Sequence, residues 1–155
     1  MLGKGLAVFF LSMVPLIELR GSIILGFGLG LDWFITYIVS VIGNIIPIPI
    51  ILLFVRAVFA FMKKHGGKLE RIALWFESKG TSKSDRVTKY ASLGLFLFVA
   101  IPLPGTGAWM GALIASLLNM RLKHSLISIS LGVMCAGLVM SLACYGIVGG
   151  LDFLF

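Results

Sequence analysis

The sequence predicts an all-α integral membrane protein made of two inverted repeats. Each repeat is a re-entrant helical hairpin followed by a transmembrane helix, with an interfacial amphipathic helix between the two. Three observations carry this. Of 155 residues, 59% are hydrophobic and only 12% charged, with a mean hydropathy of +1.10, whereas water-soluble chains carry about 25% charged residues. Four apolar blocks, residues 6–31, 33–61, 90–118 and 125–155, each exceed the roughly 20 residues that span a bilayer. Blocks one and three are interrupted in the middle, by Val14-Pro15-Leu16 and by Ile101-Pro102-Leu103-Pro104-Gly105-Thr106-Gly107. Non-helical backbone at that depth survives only where protein buries it or a wet cavity faces it. The whole chain reads as one membrane domain, with repeat 1 over 1–61, a basic cytoplasmic loop over 62–89 and repeat 2 over 90–155.

Block one begins like a signal peptide, with Lys4 ahead of an apolar run. Glu18-Leu19-Arg20 stands where small residues should mark cleavage, so the segment is read as retained. Divided at its break, each interrupted block yields arms of about 10 to 12 residues, reaching about 15 to 18 Å as helix. That is half of a hydrocarbon core about 30 Å thick, hence hairpins with tips near the midplane. In block two, Pro47 and Pro49 remove amide donors and should kink the span. Asn44 there either lines a cavity or bonds the freed carbonyls. Arg56, nearer the cytoplasmic end, is expected to snorkel to the interface.

The loop between blocks two and three holds Lys63, Lys64, Lys68, Arg71, Lys79, Lys83, Arg86 and Lys89. Within it Leu69, Ile72, Ala73 and Phe76 follow helical spacing with Trp75 beside them, predicting a helix lying in the interface. Residues 80–84 read as a flexible linker. Block four carries Gly132–Ala136 and Gly137–Ser141, small residues four apart that permit close helix packing. Its two cysteines, Cys135 and Cys144, have no CxxC spacing and read as small apolar packing residues.

Charge orients the chain. If loop 63–89 is cytoplasmic and block three is a hairpin, then Arg121 and Lys123 also face the cytoplasm, in line with the positive-inside tendency. Four full crossings would put them outside. Lys4, Asp32 and Asp152 are left to flank the outer face. At a constant offset of 87, Pro15 meets Pro102, Leu16 meets Leu103, Leu31 meets Leu118 and Asp32 meets Asn119. Inverted repeats with broken helices and a midplane site are a recurrent transporter plan.

Glu18 and Arg20 are the leading candidates for chemistry. A charge held mid-membrane costs about 2.5 to 3.5 kcal/mol on insertion scales. Two residues apart, they would point to opposite sides of a continuous helix, but at an unwound tip both can face one cavity. Glu18 is then a proton or cation site, with Arg20 an anion anchor or its tuning partner. The alternative is a buried ion pair that locks the tip. At the second tip Gly105 and Gly107 allow sharp bends and close approach, while Thr106 adds a hydroxyl. The arm that starts near Ala108 exposes amides able to hold an anion or a carbonyl. Ser22, Asn44 and Trp109 complete the candidate binding set. Pro15, Gly21, Pro47, Pro49, Pro102 and Pro104 are assigned to breaks and kinks. No HExxH, P-loop, Ser/His pair or His cluster occurs. No enzyme, metal or cofactor is therefore expected, and the positive charge of +7 is assigned to orientation and not to nucleic acid.

Three stretches, Glu18-Leu19-Arg20-Gly21-Ser22, Gly43-Asn44-Ile45-Ile46-Pro47-Ile48-Pro49 and Phe98 through Trp109, closely resemble the small multidrug export protein family of prokaryotes. The resemblance implies a multi-pass protein of the prokaryotic inner membrane with an export role. The hairpin-plus-span layout also looks like the DedA superfamily, linked to translocation of polyprenyl-phosphate lipids, although the second tip lacks the ionisable residues usual there. The expected function is proton- or ion-coupled export of small amphipathic or cationic compounds, by a homodimer among membrane lipids. The alternatives are a lipid-phosphate translocase and a structural subunit without transport.

Overall fold

The computed structural model describes residues 2–64, 67–80, 85–103 and 105–146, the side chains of 69, 73, 76–80 and 85–89 excepted. The described residues form helices and connecting turns, with no strand among them. In order these are α1 (Leu2–Met13), α2 (Glu18–Gly28), α3 (Trp33–Ile45), α4 (Pro47–Lys64), α5 (Gly67–Gly80), α6 (Asp85–Ala100), α7 (Ala108–Leu117) and α8 (Leu122–Ser141), followed by a π-helical turn over Leu142–Gly146. Two stretches are long and apolar enough to cross a membrane, Trp33–Lys64 and Leu122–Gly146. Pro104 and Asp152, along with the linker over 81–84, lie outside the described residues.

The first of these stretches is interrupted only at Ile46, between α3 and α4. Pro47 and Pro49 cannot donate to the carbonyls four residues back, so the ladder breaks where the prolines predicted. Arg56, further along α4, donates from Nη2 to the carbonyl of Met120, in the turn between α7 and α8.

Helices α1 and α2 run back along each other. Lys4, at the start of α1, donates to the carbonyl of Leu29 at the end of α2 at 2.7 Å. This pair packs on α3, and the α6–α7 pair packs on α8 in the same way. The long helices α3 and α8 then meet each other, and α4 covers α7. Leu19, Ile23, Ile48, Leu52, Val99, Ile129 and Val133 form the buried centre. Small residues set the approach. A Cβ on Gly43 would meet Ser12 and the carbonyl of Phe9, so α3 lies directly on α1. A Cβ on Gly132 would meet Val99 and the carbonyl of Phe96, so α8 lies directly on α6.

The junctions after α2 and α7 close with the same hydrogen bonds. Leu31 donates to Gly26 and Met120 donates to Ala115, each at 3.0 Å. The residue before each donor is left-handed, Gly30 at φ 66° and Asn119 at φ 49°, the usual closing geometry of a helix C-terminus. Asp32 then caps α3, accepting from the amides of Phe34 and Ile35 at 2.9 and 3.3 Å, and Arg121 occupies the same place before α8. These matches revise the register read from sequence. The ends of α1 and α6, Met13 and Ala100, are 87 apart, but Leu29 and Leu118, the C-caps of α2 and α7, are 89 apart. The second break, 101–107 against 14–17, is three residues longer and α7 is one residue shorter than α2, a net shift of two. Asn119 therefore corresponds to Gly30, Asp32 to Arg121 and Leu31 to Met120, and the pairing of Asp32 with Asn119 is corrected.

Helix α5 forms as its periodicity predicted, over Gly67–Gly80, and rests on α4 and α7 with Ile72 and Trp75 exposed. The side chains of Leu69, Ala73 and Phe76 lie outside the described set. On α8, Gly132, Ala136, Gly137 and Ser141 are all buried, and a Cβ on Gly137 would press on Tyr37 of α3. Both cysteines are free thiols, Cys135 exposed and Cys144 half-buried.

Candidate functional site

The site is built where the two breaks touch. Residues 14–17 reverse the chain between α1 and α2 in a single turn, closed by the Glu18 amide on the carbonyl of Val14 at 3.0 Å. The reversal is tight enough to force two ordinary residues into the left-handed region, Leu16 at φ 76° and Glu18 at φ 49°. A bulky residue there is a genuine outlier, and such strain persists only where surrounding contacts hold it.

Those contacts come from the second break. The Glu18 carboxylate accepts from the amide of Ala108 at 3.2 Å through Oε2 and from that of Trp109 at 3.1 Å through Oε1. The first amides of a helix have no partner within it, and its positive dipole end favours a carboxylate. The N-cap residue of α7 is Gly107, which has no side chain to supply a cap. Glu18 provides that cap from another helix, 90 residues away in sequence. Gly107 also makes room, since a Cβ there would collide with the Glu18 carboxylate. Gly105 serves a different need. Its φ of 83° turns the chain, and a Cβ on it would meet nothing.

Arg20 lies two residues further along α2. Its Nη1 is 3.7 Å from Glu18 Oε2, too long for a hydrogen bond but close enough for charge pairing. Its Nη2 donates to Thr106 Oγ1 at 2.8 Å and to the carbonyl of Ile101 at 3.3 Å. The Thr106 hydroxyl lies 2.7 Å from the Ile101 carbonyl and 2.9 Å from that of Leu103, so Arg20 and Thr106 together close the second turn. Glu18 is 4% exposed. A carboxylate so buried is tolerable only when paired and hydrogen-bonded, as this one is.

A cavity of about 520 Å³ opens beside this junction. Glu18 and Arg20 are the charged groups in its wall, with Gly105, Gly107 and Trp109 on the second tip and Pro15 and Leu16 on the first. The remaining wall is apolar and includes Ile50, Ile51, Phe54 and Val55 of α4. Those four pass unnoticed in an apolar sequence block. Their only signal is the i, i+4 recurrence just beyond the proline kink, which turns one face of α4 to the tips.

Of the sequence candidates, Glu18, Arg20, Gly105, Thr106, Gly107 and Trp109 come together at the tips. Asn44 comes from α3 and does not line the cavity; it shares a smaller pocket with Glu18, Arg20 and Ala108. Ser22 does not join them. It is fully buried and donates back to the carbonyl of Leu19 at 2.9 Å, within α2. Pro15 lies in the cavity wall, Pro102 in the second turn, and Pro47 and Pro49 in the first turn of α4. A Cβ on Gly21 would press on Ile17, so this glycine lets α2 start directly beneath the first turn.

No curated protein and no solved structure matches the chain. A family model described as "Putative small multi-drug export protein" matches residues 18–139, from the capping Glu18 to the last turn of α8. Together with the two apolar helices, that match makes this a membrane protein, and the chain belongs to the small multi-drug export protein family.

Proposed function

We propose that the protein is an ion- or proton-coupled exporter of small amphipathic compounds, with its substrate site in the cavity at the two tips. In this reading α1–α2 and α6–α7 are re-entrant hairpins that enter from opposite faces and meet near the midplane as inverted repeats. The observation that carries it is the Glu18 carboxylate. It is 4% exposed, yet it forms part of the wall of a mostly apolar cavity of about 520 Å³. An apolar wall accepts the body of an amphipathic molecule by burial alone. One titratable carboxylate there supplies the exchange a coupled carrier needs. Protonation would weaken its hold on the Ala108 and Trp109 amides and so loosen the contact between the tips. Opening and closing of that contact is the alternating step.

The lipid-phosphate alternative is favoured by one feature. The amides of Ala108 and Trp109, with Arg20 beside them, would suit a phosphate if Glu18 withdrew.

The test is transport by purified protein in proteoliposomes under an imposed pH gradient, with a lipophilic dye cation and a short-chain prenyl phosphate as separate probes. Dye export that collapses with the gradient and with Glu18→Gln supports the exporter. Prenyl phosphate movement without dye export supports the alternative. Gradient-independent movement of both, unchanged in Glu18→Gln, overturns the reading.

A further inference from the structure

Glu18 lines two pockets. One is the cavity at the tips; the other is a pocket of about 10 Å³ among α2, α3, α6, α7 and α8. That volume is about one water-sized sphere. Its polar side chains are Glu18, Arg20 and Asn44, set among Leu19, Val99, Val133 and Ala136. Two atoms of those side chains have no hydrogen-bond partner among the described residues, Asn44 Oδ1 and Arg20 Nε. Asn44 is 1% exposed. Leaving a buried polar atom unpaired costs about 1 to 3 kcal/mol, and here the two residues that carry an unpaired acceptor and an unpaired donor line the same small pocket.

We propose that this pocket binds one ordered water that links Arg20, Asn44 and Glu18, and that Asn44 is a positioning residue for Glu18 through it. The hydrogen-bond inventory closes. The water accepts from Arg20 Nε–H, donates one hydrogen to Asn44 Oδ1 and donates the other to the Glu18 carboxylate, which has acceptor capacity beyond its two amide bonds. Three bonds are what a buried water typically makes. A metal cation fits worse, because the Arg20 guanidinium faces the same space. The water satisfies both unpaired atoms and gives the carboxylate a third donor besides the Ala108 and Trp109 amides. The angle at which Glu18 leaves its strained backbone is then held by all three. The binding of the water does not depend on the transport reading; any part it plays in proton exchange does.

A structure of the full chain in lipid, at a resolution that shows ordered waters, tests the site directly. Density within hydrogen-bonding distance of Arg20 Nε, Asn44 Oδ1 and the Glu18 carboxylate is expected. Asn44 bonded directly to Arg20, no density in the pocket, or density that disappears when sodium is replaced by choline would each overturn the proposal. The positioning role is read from infrared spectra, where the Glu18 carboxylate band is the one lost in Glu18→Gln. Asn44→Leu fills the pocket and removes the acceptor, so that band should shift. Asn44→Ala leaves room for a second water in place of the amide, and its band should match the parent. Equal bands in all three proteins, or a shift in Asn44→Ala alone, would refute the role. If Asn44→Leu does not fold, the structure of Asn44→Ala decides the water site: two waters are expected in its pocket, and an empty pocket there would overturn the proposal. Neither readout requires transport, so failure of the exporter reading leaves the water site standing or falling on its own evidence.

Discussion

Glu18 caps a helix it does not belong to, and the surrounding residues can be understood from that single fact. A carboxylate at an N-terminus is ordinary; one delivered from a distant turn needs a gap to enter, and Gly107 is the gap. Gly105, two residues earlier, is glycine for backbone reasons alone, at φ 83°. The two should therefore respond differently to substitution. Gly105→Asn should be tolerated within about 1 kcal/mol, because Asn enters the left-handed region readily. Gly107→Ala should cost about 1 to 3 kcal/mol through overpacking, and Glu18→Asp, one methylene shorter, should recover part of the loss. Thermal unfolding in detergent reads all of these. Equal sensitivity at both glycines would mean that Glu18 does not fill the space beside Gly107. Arg20 invites a second test. Arg20→Met leaves the buried Glu18 charge without its partner and should cost about 3 to 5 kcal/mol. Adding Glu18→Gln should restore part of this, since Gln removes the unpaired charge while keeping one acceptor oxygen for the two amides that Glu18 serves with two. Simply additive losses in the double variant would argue against a coupled pair.

Among the elements, the breaks were legible because proline and glycine punctuate a sequence otherwise without contrast. Pro15, Pro102, Pro47 and Pro49 lie at or beside the ends of helices in the structure, as their chemistry requires. The register between the two halves was only half legible. Matching Pro15 to Pro102 is sound up to the turns, but beyond the longer second turn the register slips by a net two residues, and Leu-rich sequence on both sides offers nothing to reveal the slip. The glycines would have revealed it. Gly43 and Gly132 are 89 apart and perform one task, admitting the first arm of each pair at Phe9 and Phe96. Substitution of either by Ala should cost about 1 to 3 kcal/mol, because the nearest obstacles include backbone carbonyls that cannot rotate away. Gly94→Ala, on α6 with nothing near its Cβ, should instead stabilise by about 0.5 to 1 kcal/mol. Melting temperatures in one detergent compare the three. The α4 wall of the cavity stayed hidden for a different reason: in an apolar block, a residue facing a cavity and one facing lipid look alike.

At the scale of the whole molecule the open question is how the helices lie in the bilayer, and depth can be argued from length. Asn44 is 11 residues beyond Trp33, the first residue of α3, or about 16 Å at 1.5 Å per residue. With Trp33 at one interface, that is the middle of a core about 30 Å thick, and Asn44 shares its small pocket with Glu18. The arms agree: α1, α2 and α7 have 12, 11 and 10 residues, each about half a core in length. In the proposed arrangement the mouths of the two pairs would fall on opposite faces. Lys4 and Asp32 mark the first, with Lys4 on the carbonyl of Leu29. The second is fixed by Arg56, whose bond to Met120 holds the far half of α4 beside the start of α8. Since α4 leads into α5 and the basic loop, Lys68 and Lys123 should share a face and Trp33 should lie on the other. Single cysteines at these three positions, in a protein whose Cys135 and Cys144 are replaced by serine, test this with an impermeant maleimide on intact cells and on inside-out vesicles. Lys68→Cys and Lys123→Cys should react only in inverted vesicles, and Trp33→Cys only in cells. Reaction of Lys123→Cys from the side opposite to Lys68→Cys would mean that α6 and α7 together cross the membrane. The tips would then no longer need to meet at its centre, and a midplane carrier site built on Glu18 would lose its footing.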